Sequence, residues 1–458
     1  MKPLLILHGW SDEAESFLPL ARAIETHSGR SVHSLFLGNY VSLDDDVQMS
    51  DLVRALQRAW AAEALPVTPK SIDVIVHSTG GLIIRDWMAS CFSEKGRTPP
   101  INNLLMLAPA NFGSPLAHKG RAIYGRVLKG FNARKRFQTG THILRALEMA
   151  SPYSWQLARR DRLQGNPMSA SGVRTTVIVG NTGYRGISSL ANELGSDGTV
   201  YAATANLNCA ALEIQFPPGD RAPRYGALRE SRGDTACLLM DGFDHSSIAL
   251  KSEDHPDNEA LLGFILQVLD VSSTTTFRQW QQTCAQHTAA VLTLHEQDSN
   301  AHKHGFQNTV FRVRDDQGFD VQDYVIEFFS DTARGDNDRL AEKVHGEALV
   351  KVHVNKDNAA YRSFMIDCSA LYRIVDEQNE ALSISLSALP DLNEERNLVG
   401  YRSFGNHDIG QLSLDAQAVR RFFQPNRTVF IDIVLTREHK DALFTIDTLN
   451  TFDQQVDQ

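Results

Sequence analysis

The chain has 458 residues, 42% hydrophobic and 22% charged, with a net charge of −10. These are the proportions of a globular protein with a sizeable core and room for two or three domains. The negative balance weighs against a dedicated nucleic-acid binder, and five scattered cysteines, odd in number and without metal-ligand spacing, read as free thiols of a reducing cytosol and not as a disulfide framework.

No apolar run reaches the roughly 18 residues that span a bilayer. The opening stretch, Met1-Lys2-Pro3-Leu4-Leu5-Ile6-Leu7-His8-Gly9, has an apolar segment of four residues, runs directly into His-Gly and offers no small-residue cleavage site. It reads as the first strand of a fold rather than a secretory signal, so the expectation is a cytoplasmic protein that leaves the cell only by a route independent of such a signal. Strand signals continue at residues 32–37, 72–76, 104–107, 176–179 and 237–240, with helical periodicity at 15–26, 49–63 and 82–92. This alternation implies a mainly parallel sheet covered on both faces. A strand-like run at 211–216 reads as a local hairpin or an insertion.

Residues 114–163 break the alternation with a long helical stretch, expected to lie over the C-terminal edge of the sheet as a cap. It holds eleven Lys/Arg against two acids, densest at Arg134-Lys135-Arg136. One reading is a solvated helix face; the other is attraction to anionic headgroups at a membrane surface. A polar stretch at 271–276 and a helical segment at 277–290 then lead into short strand-like runs at 310–313, 321–329, 348–354, 363–367, 382–386, 429–434 and 443–448. The expected organisation is an α/β catalytic domain over 1–270, a linker helix over 271–290, and an antiparallel β-sandwich accessory domain over 291–458.

The chemistry centres on Ile72-Asp73-Val74-Ile75-Val76-His77-Ser78-Thr79-Gly80-Gly81. A β-branched run ends in a serine, and small residues open a helix. A strand turning sharply into a helix strains its turn residue and lifts that side chain clear of the sheet, at a helix N-terminus that favours developing negative charge. The motif departs from G-x-S-x-G in carrying Val76 at its first position. Serine needs a base and an orienting acid. Gly195-Ser196-Asp197-Gly198 follows the fifth strand and Asp244-His245-Ser246 follows the sixth. The order Ser78, Asp197, His245 is that of α/β-hydrolases, and both loops lie beyond strand C-termini, where open α/β sheets place their sites. The backbone amides of Trp10, in His8-Gly9-Trp10, and of Thr79 are the expected oxyanion donors.

Together with Asn111-Phe112-Gly113-Ser114-Pro115 and Ser196-Asp197-Gly198-Thr199-Val200, these motifs make residues 1–270 resemble bacterial α/β-hydrolase lipases, in particular the lipase and GPI-inositol-deacylase-like branch. The resemblance implies an α/β-hydrolase fold and hydrolysis of carboxylic esters through an acyl-serine, with Ser78 as nucleophile, His245 as base and Asp197 as its orienting acid. It implies no metal or organic cofactor. A membrane lipid is the expected substrate, and Arg134, Lys135 and Arg136 are the candidate headgroup contacts. A carboxylesterase, thioesterase or acyltransferase keeps the same machinery on another substrate. A non-catalytic interaction protein is the reading from a different class.

Other residues read as structural first. His77 packs beside the elbow, Trp87 belongs to the core, and Asp244 and Asp241 are rival acids of lower rank. His302 and His304 lack further metal ligands, and the acidic turns at Asp315-Asp316 and Asp336-Asn337-Asp338 read as solvated rather than as Ca²⁺ sites. By analogy with β modules attached to lipases, the C-terminal region is expected to dock a membrane or a protein partner. A lipase without a signal also fits a toxin delivered by type VI secretion, beside the alternative of a housekeeping enzyme.

Overall fold

A computed structural model describes residues 2–7, 14–42, 44–117, 140–185, 189, 192–219, 221–251, 255–297, 304–330, 338–390, 392, 398–404 and 414–439. The first half alternates β1 (Leu4–Leu7), α1 (Leu18–Ser28), β2 (Val32–Leu35), α2 (Met49–Ala62), β3 (Ile72–His77), α3 (Gly80–Cys91), β4 (Ile101–Leu107), α4 (Thr141–Leu147), α5 (Pro152–Ala158) and β5 (Arg174–Gly180). After β6 (Ala210–Phe216) and the two-residue strands β7 (Arg224–Tyr225) and β8 (Arg229–Glu230), the chain returns for β9 (Ala236–Met240), then α6 (Asn258–Asp270) and α7 (Thr274–Gln297). The six strands β2-β1-β3-β4-β5-β9, in that spatial order, pair in parallel throughout.

Successive residues of these strands serve opposite faces. Leu5, Leu7, Val74 and Val76 join the core under α2 and α3, while Leu4, Ile6 and Ile75 join the core under α1, α6 and α7. Burial on both faces is why these strands read as unbroken apolar runs.

The second half is also layered and β-rich. Its strands are β10 (Phe306–Asp315), β11 (Tyr324–Ser330), β12 (Leu349–Val354), β13 (Tyr361–Asp367), β14 (Leu382–Ala388), β15 (Val399–Gly400), β16 (Arg427–Leu435) and β17 (Glu438–His439). The main sheet runs β12-β13-β10-β16-β6-β7, with β8 also against β6. A separate antiparallel pair, β11 and β14, packs over a shared apolar core with it.

Two features differ from the expected antiparallel sandwich. Pairing is mixed, because β16 runs parallel to both β10 and β6. An eleven-residue helix, α8 (Cys368–Gln378), also intervenes; it is capped by Asp367, which accepts from the Ala370 amide, and it buries Leu371, Ile374 and Val375. The short helix α9 (Ala416–Phe422) precedes β16. The strand expected over 443–448 lies outside the described residues.

The run at 211–216 does form a hairpin with β7, but its other edge pairs with β16, Ala211 opposite Phe430. A strand from the first half therefore completes the second half's sheet. Phe430 meets Phe112 at 5.4 Å and Trp155 at 5.0 Å between ring centres. Beside it, the Thr428 hydroxyl donates to the Ala203 carbonyl at 2.8 Å. Among the described residues no helix is long and apolar enough to cross a membrane.

A fully buried ion pair ties α3 to the segment that follows α5. Arg85 on α3 donates from Nε and Nη2 to the two Asp161 oxygens at 2.7 and 3.0 Å, and from Nη1 to the Asn111 carbonyl at 2.7 Å. Removing one member leaves the other charge buried and unpaired, whereas removing both restores an apolar site. Arg85→Met is expected to lower the unfolding free energy by about 3–5 kcal/mol, and Arg85→Met with Asp161→Leu to recover most of that loss, as read by urea denaturation.

Candidate active site

Ser78 follows β3 with φ at +54°, a left-handed conformation unusual for a residue with a side chain. The strain is held by its neighbours: its amide donates to the Leu107 carbonyl at 3.1 Å, and its carbonyl accepts from Gly81 and Ala110 at 3.1 and 3.3 Å. The turn tolerates only small residues on its far side. A Cβ at Gly81 would lie 2.6 Å from Pro109, and one at Gly80 would lie 3.3 Å from the Val76 side chain. Val76 thus occupies space shared by the two elbow positions, which is how a valine stands at the first position while glycine holds the later one.

His245 Nε2 lies 3.0 Å from Ser78 Oγ, and His245 Nδ1 lies 2.9 Å from Asp197 Oδ2. The second Asp197 oxygen accepts from the amides of Thr199 and Val200 at 2.9 and 2.7 Å. The carboxylate is therefore fixed in orientation and fully buried. The His245 amide also donates to the Asp197 carbonyl at 2.9 Å, locking the two loops to each other. The sequence-predicted serine, histidine and aspartate are thus brought into one hydrogen-bonded line. Asp244 is not part of it: its Oδ1 accepts from the amides of Ser246 and Ser247 and closes their turn.

Thr79 flanks the N-terminus of α3, next to the serine and buried. His8, Gly9 and Trp10 lie outside the described residues, as do Arg134, Lys135 and Arg136. Within the described part of the basic stretch, three arginines have partners. Arg162 is fully buried and donates to the Leu207, Met168 and Gly233 carbonyls, Arg160 pairs with Asp86 and Glu94, and Arg145 with Asp357. Counting charges along a sequence assumes exposure and no partner; Arg162 is consumed internally and Arg160 and Arg145 are paired nearer the surface, while Arg159 is exposed.

Several supports of the site escaped sequence reasoning. His77 does pack beside the elbow, and its Nε2 also lies 3.0 Å from the His245 carbonyl oxygen, with the two rings 4.6 Å apart. The Asn111–Pro115 loop, legible only as a family motif, braces the acid loop: Ser114 Oγ donates to the Thr199 carbonyl at 2.5 Å and the Phe112 amide to the Thr204 carbonyl at 2.9 Å. Tyr184 hydrogen-bonds Thr199 Oγ1 at 2.9 Å; burial, and then the nearby Asp197 charge, push its phenol pKa up, so it stays protonated. From the second half, Lys351 on β12 pairs with Glu193 at 2.7 Å, four residues before the acid.

The turn at Asp315 is not solvated as expected, and His302, Asp336 and Asn337 lie outside the described residues. Asp315 is buried, accepts from the Gln317 and Phe319 amides and pairs with Arg437; Asp338 caps a short helix; His304 pairs with Asp367. Among the described residues, no group of three or more His, Cys, Asp or Glu is arranged to hold a metal.

No family model matches the sequence, and no curated protein matches it. Among solved structures, phospholipase PlaB from Legionella pneumophila superposes with a TM-score of 0.79 at 22% identity, over 98% of this chain and 97% of that one. The same phospholipase in complex with thio-NAD gives 0.80 at 21% identity, over 98% and 97%. The likeness is one of fold. It extends over both halves, from one end of the chain to the other.

Gly195 links the two halves next to the acid. It has φ at +76°, and a Cβ there would lie 2.1 Å from the Phe306 ring at the start of β10. Gly195→Ala combines a left-handed alanine with overpacking and is expected to destabilise the protein by about 2–4 kcal/mol. Adding Phe306→Leu should return part of the loss, measured as a shift in the urea midpoint.

Proposed function

We propose that this protein is a serine hydrolase of the lipase and phospholipase class, cleaving carboxylic esters of membrane lipids through an acyl-serine intermediate. The observation that carries the reading is the relay from Ser78 Oγ through the His245 imidazole to the Asp197 carboxylate, at 3.0 and 2.9 Å. In the proposed reaction His245 Nε2 removes the hydroxyl proton as Ser78 Oγ attacks the ester carbonyl carbon. Asp197, spent on two amides and the imidazole Nδ1–H, holds the tautomer that leaves Nε2 free to accept. The oxyanion forms at the N-terminus of α3, where the Thr79 amide and the helix dipole stabilise it; the Trp10 amide is the proposed second donor. Collapse of the intermediate expels the alcohol, which takes its proton from His245. Water, activated by the same imidazole, then releases the fatty acid.

The choice of phospholipid over other esters draws on the full-length likeness of fold to a phospholipase and on the tri-basic Arg134-Lys135-Arg136. Charge on that segment would concentrate the enzyme at anionic bilayers. The direct test is incubation of the purified protein with mixed phospholipids and triglycerides, with products identified by mass spectrometry. Fatty acid is expected from phospholipid, and its release should fall about a millionfold in Ser78→Ala and about ten-thousandfold in Asp197→Asn. Acylated acceptor in place of free acid would make it a transferase. No serine-dependent release from any lipid would sink the lipase reading.

Charge reversal at Arg134, Lys135 and Arg136 is expected to slow turnover on anionic vesicles and spare a short soluble ester. Equal losses on both substrates would count against headgroup attraction.

A further inference from the structure

The second half contains an apolar cavity of about 190 Å³ between the face of its main sheet and the β11–β14 pair. Its floor is the buried set Ile214, Phe216, Phe311, Leu386, Ile431 and Ile433. Its mouth is formed by Leu212, Tyr225, Ile384, Leu414 and Phe422, all only partly buried. None of the residues around it belongs to the Ser78–His245–Asp197 relay.

Among the described residues the lining carries no charged side chain, and Ser385 and Tyr225 supply its hydroxyls. Burial pushes the Tyr225 phenol pKa up to about 12, so it remains a neutral group. Water entering such a space finds too few partners to offset the hydrogen bonds it leaves behind; an engineered apolar cavity of about 150 Å³ stays dry and takes up small hydrocarbons. Left empty, the space forfeits packing contacts along every wall. The chemistry that fits is therefore a hydrocarbon chain. The partly buried mouth lets one enter tail first and keep a polar end in water. Exposed Arg421 directly precedes the mouth residue Phe422 in the chain, and its charge suits an anionic end group; Glu213, beside Leu212, accepts from the Gln215 side-chain amide at 2.6 Å. Asp415, beside Leu414, is occupied in capping α9 through the Ala418 amide.

We propose that this cavity binds the hydrocarbon chain of a free fatty acid, at a site separate from the catalytic serine. That such an acid is this protein's own product rests on the proposed lipase function; the fit of the cavity to an acyl chain does not.

The test uses the full-length Ser78→Ala protein, titrated with the fluorescent fatty acid cis-parinarate and challenged with saturated acids of increasing length. Saturable binding of one probe per chain is expected, displaced by palmitate. Competitor affinity should rise about fourfold per added methylene until the cavity is full. Ile384→Trp and Leu212→Trp, which narrow the mouth, should each weaken binding by about tenfold or more, with circular dichroism and melting curves verifying that both variants fold. The length series on the unnarrowed protein stands even if a tryptophan variant does not fold. Three results would overturn the proposal: no saturable binding, affinity indifferent to chain length, or binding abolished in the Ser78-intact protein by an alkyl phosphonate on Ser78. Parinarate binding together with no lipid hydrolysis by the Ser78-intact protein would support the cavity site and sink only the lipase reading.

Discussion

The left-handed turn at Ser78 is the constraint on which the rest of the site depends. A residue with a side chain at φ +54° is unfavourable, and it persists because backbone hydrogen bonds from β4 and α3 hold it from both sides. What the strain provides is direction. The hydroxyl leaves the sheet edge toward His245, beside the N-terminus of α3. The glycines at 80 and 81 are consequences of that geometry, because a methyl group at Gly81 would collide with Pro109.

Holding the acid and base opposite that serine is a task shared by the whole chain. Asp197 lies in a loop between β5 and β6, and β6 leaves the first sheet to pair with β16. The loop is thus anchored at its far end in the second half, pressed by Phe306 at Gly195, and tied by Lys351 at Glu193. From the first half, Ser114 and Phe112 hold its other side. The second half is accordingly part of the scaffold of the candidate active site. Buried Arg85 and Asp161 add a third tie, joining α3 to the segment after α5 and to the Asn111 loop.

The six strands of the parallel sheet were legible because burial on both faces leaves continuous apolar runs, and helix phasing was legible from single-faced periodicity. Ser78, Asp197 and His245 could be singled out because each follows a strand in a loop of small residues. The partner of β6 was not legible: its alternation specifies a strand, and nothing local indicates pairing with a segment more than two hundred residues later. The paired and buried arginines of the basic stretch were illegible for a related reason, since a side chain's partner is a property of the fold. The role of Ser114 is intermediate. Its motif was visible, but the carbonyl it binds was not.

Covalent labelling tests the central claim most directly. The native protein would be treated with a fluorophosphonate at neutral pH, digested, and analysed by peptide mass spectrometry. A single stoichiometric adduct on Ser78 is expected, formed far more slowly in Asp197→Asn, because only a serine activated by an oriented imidazole reacts in this way. Failure of Ser78 to react, or an adduct on another serine, would contradict the account.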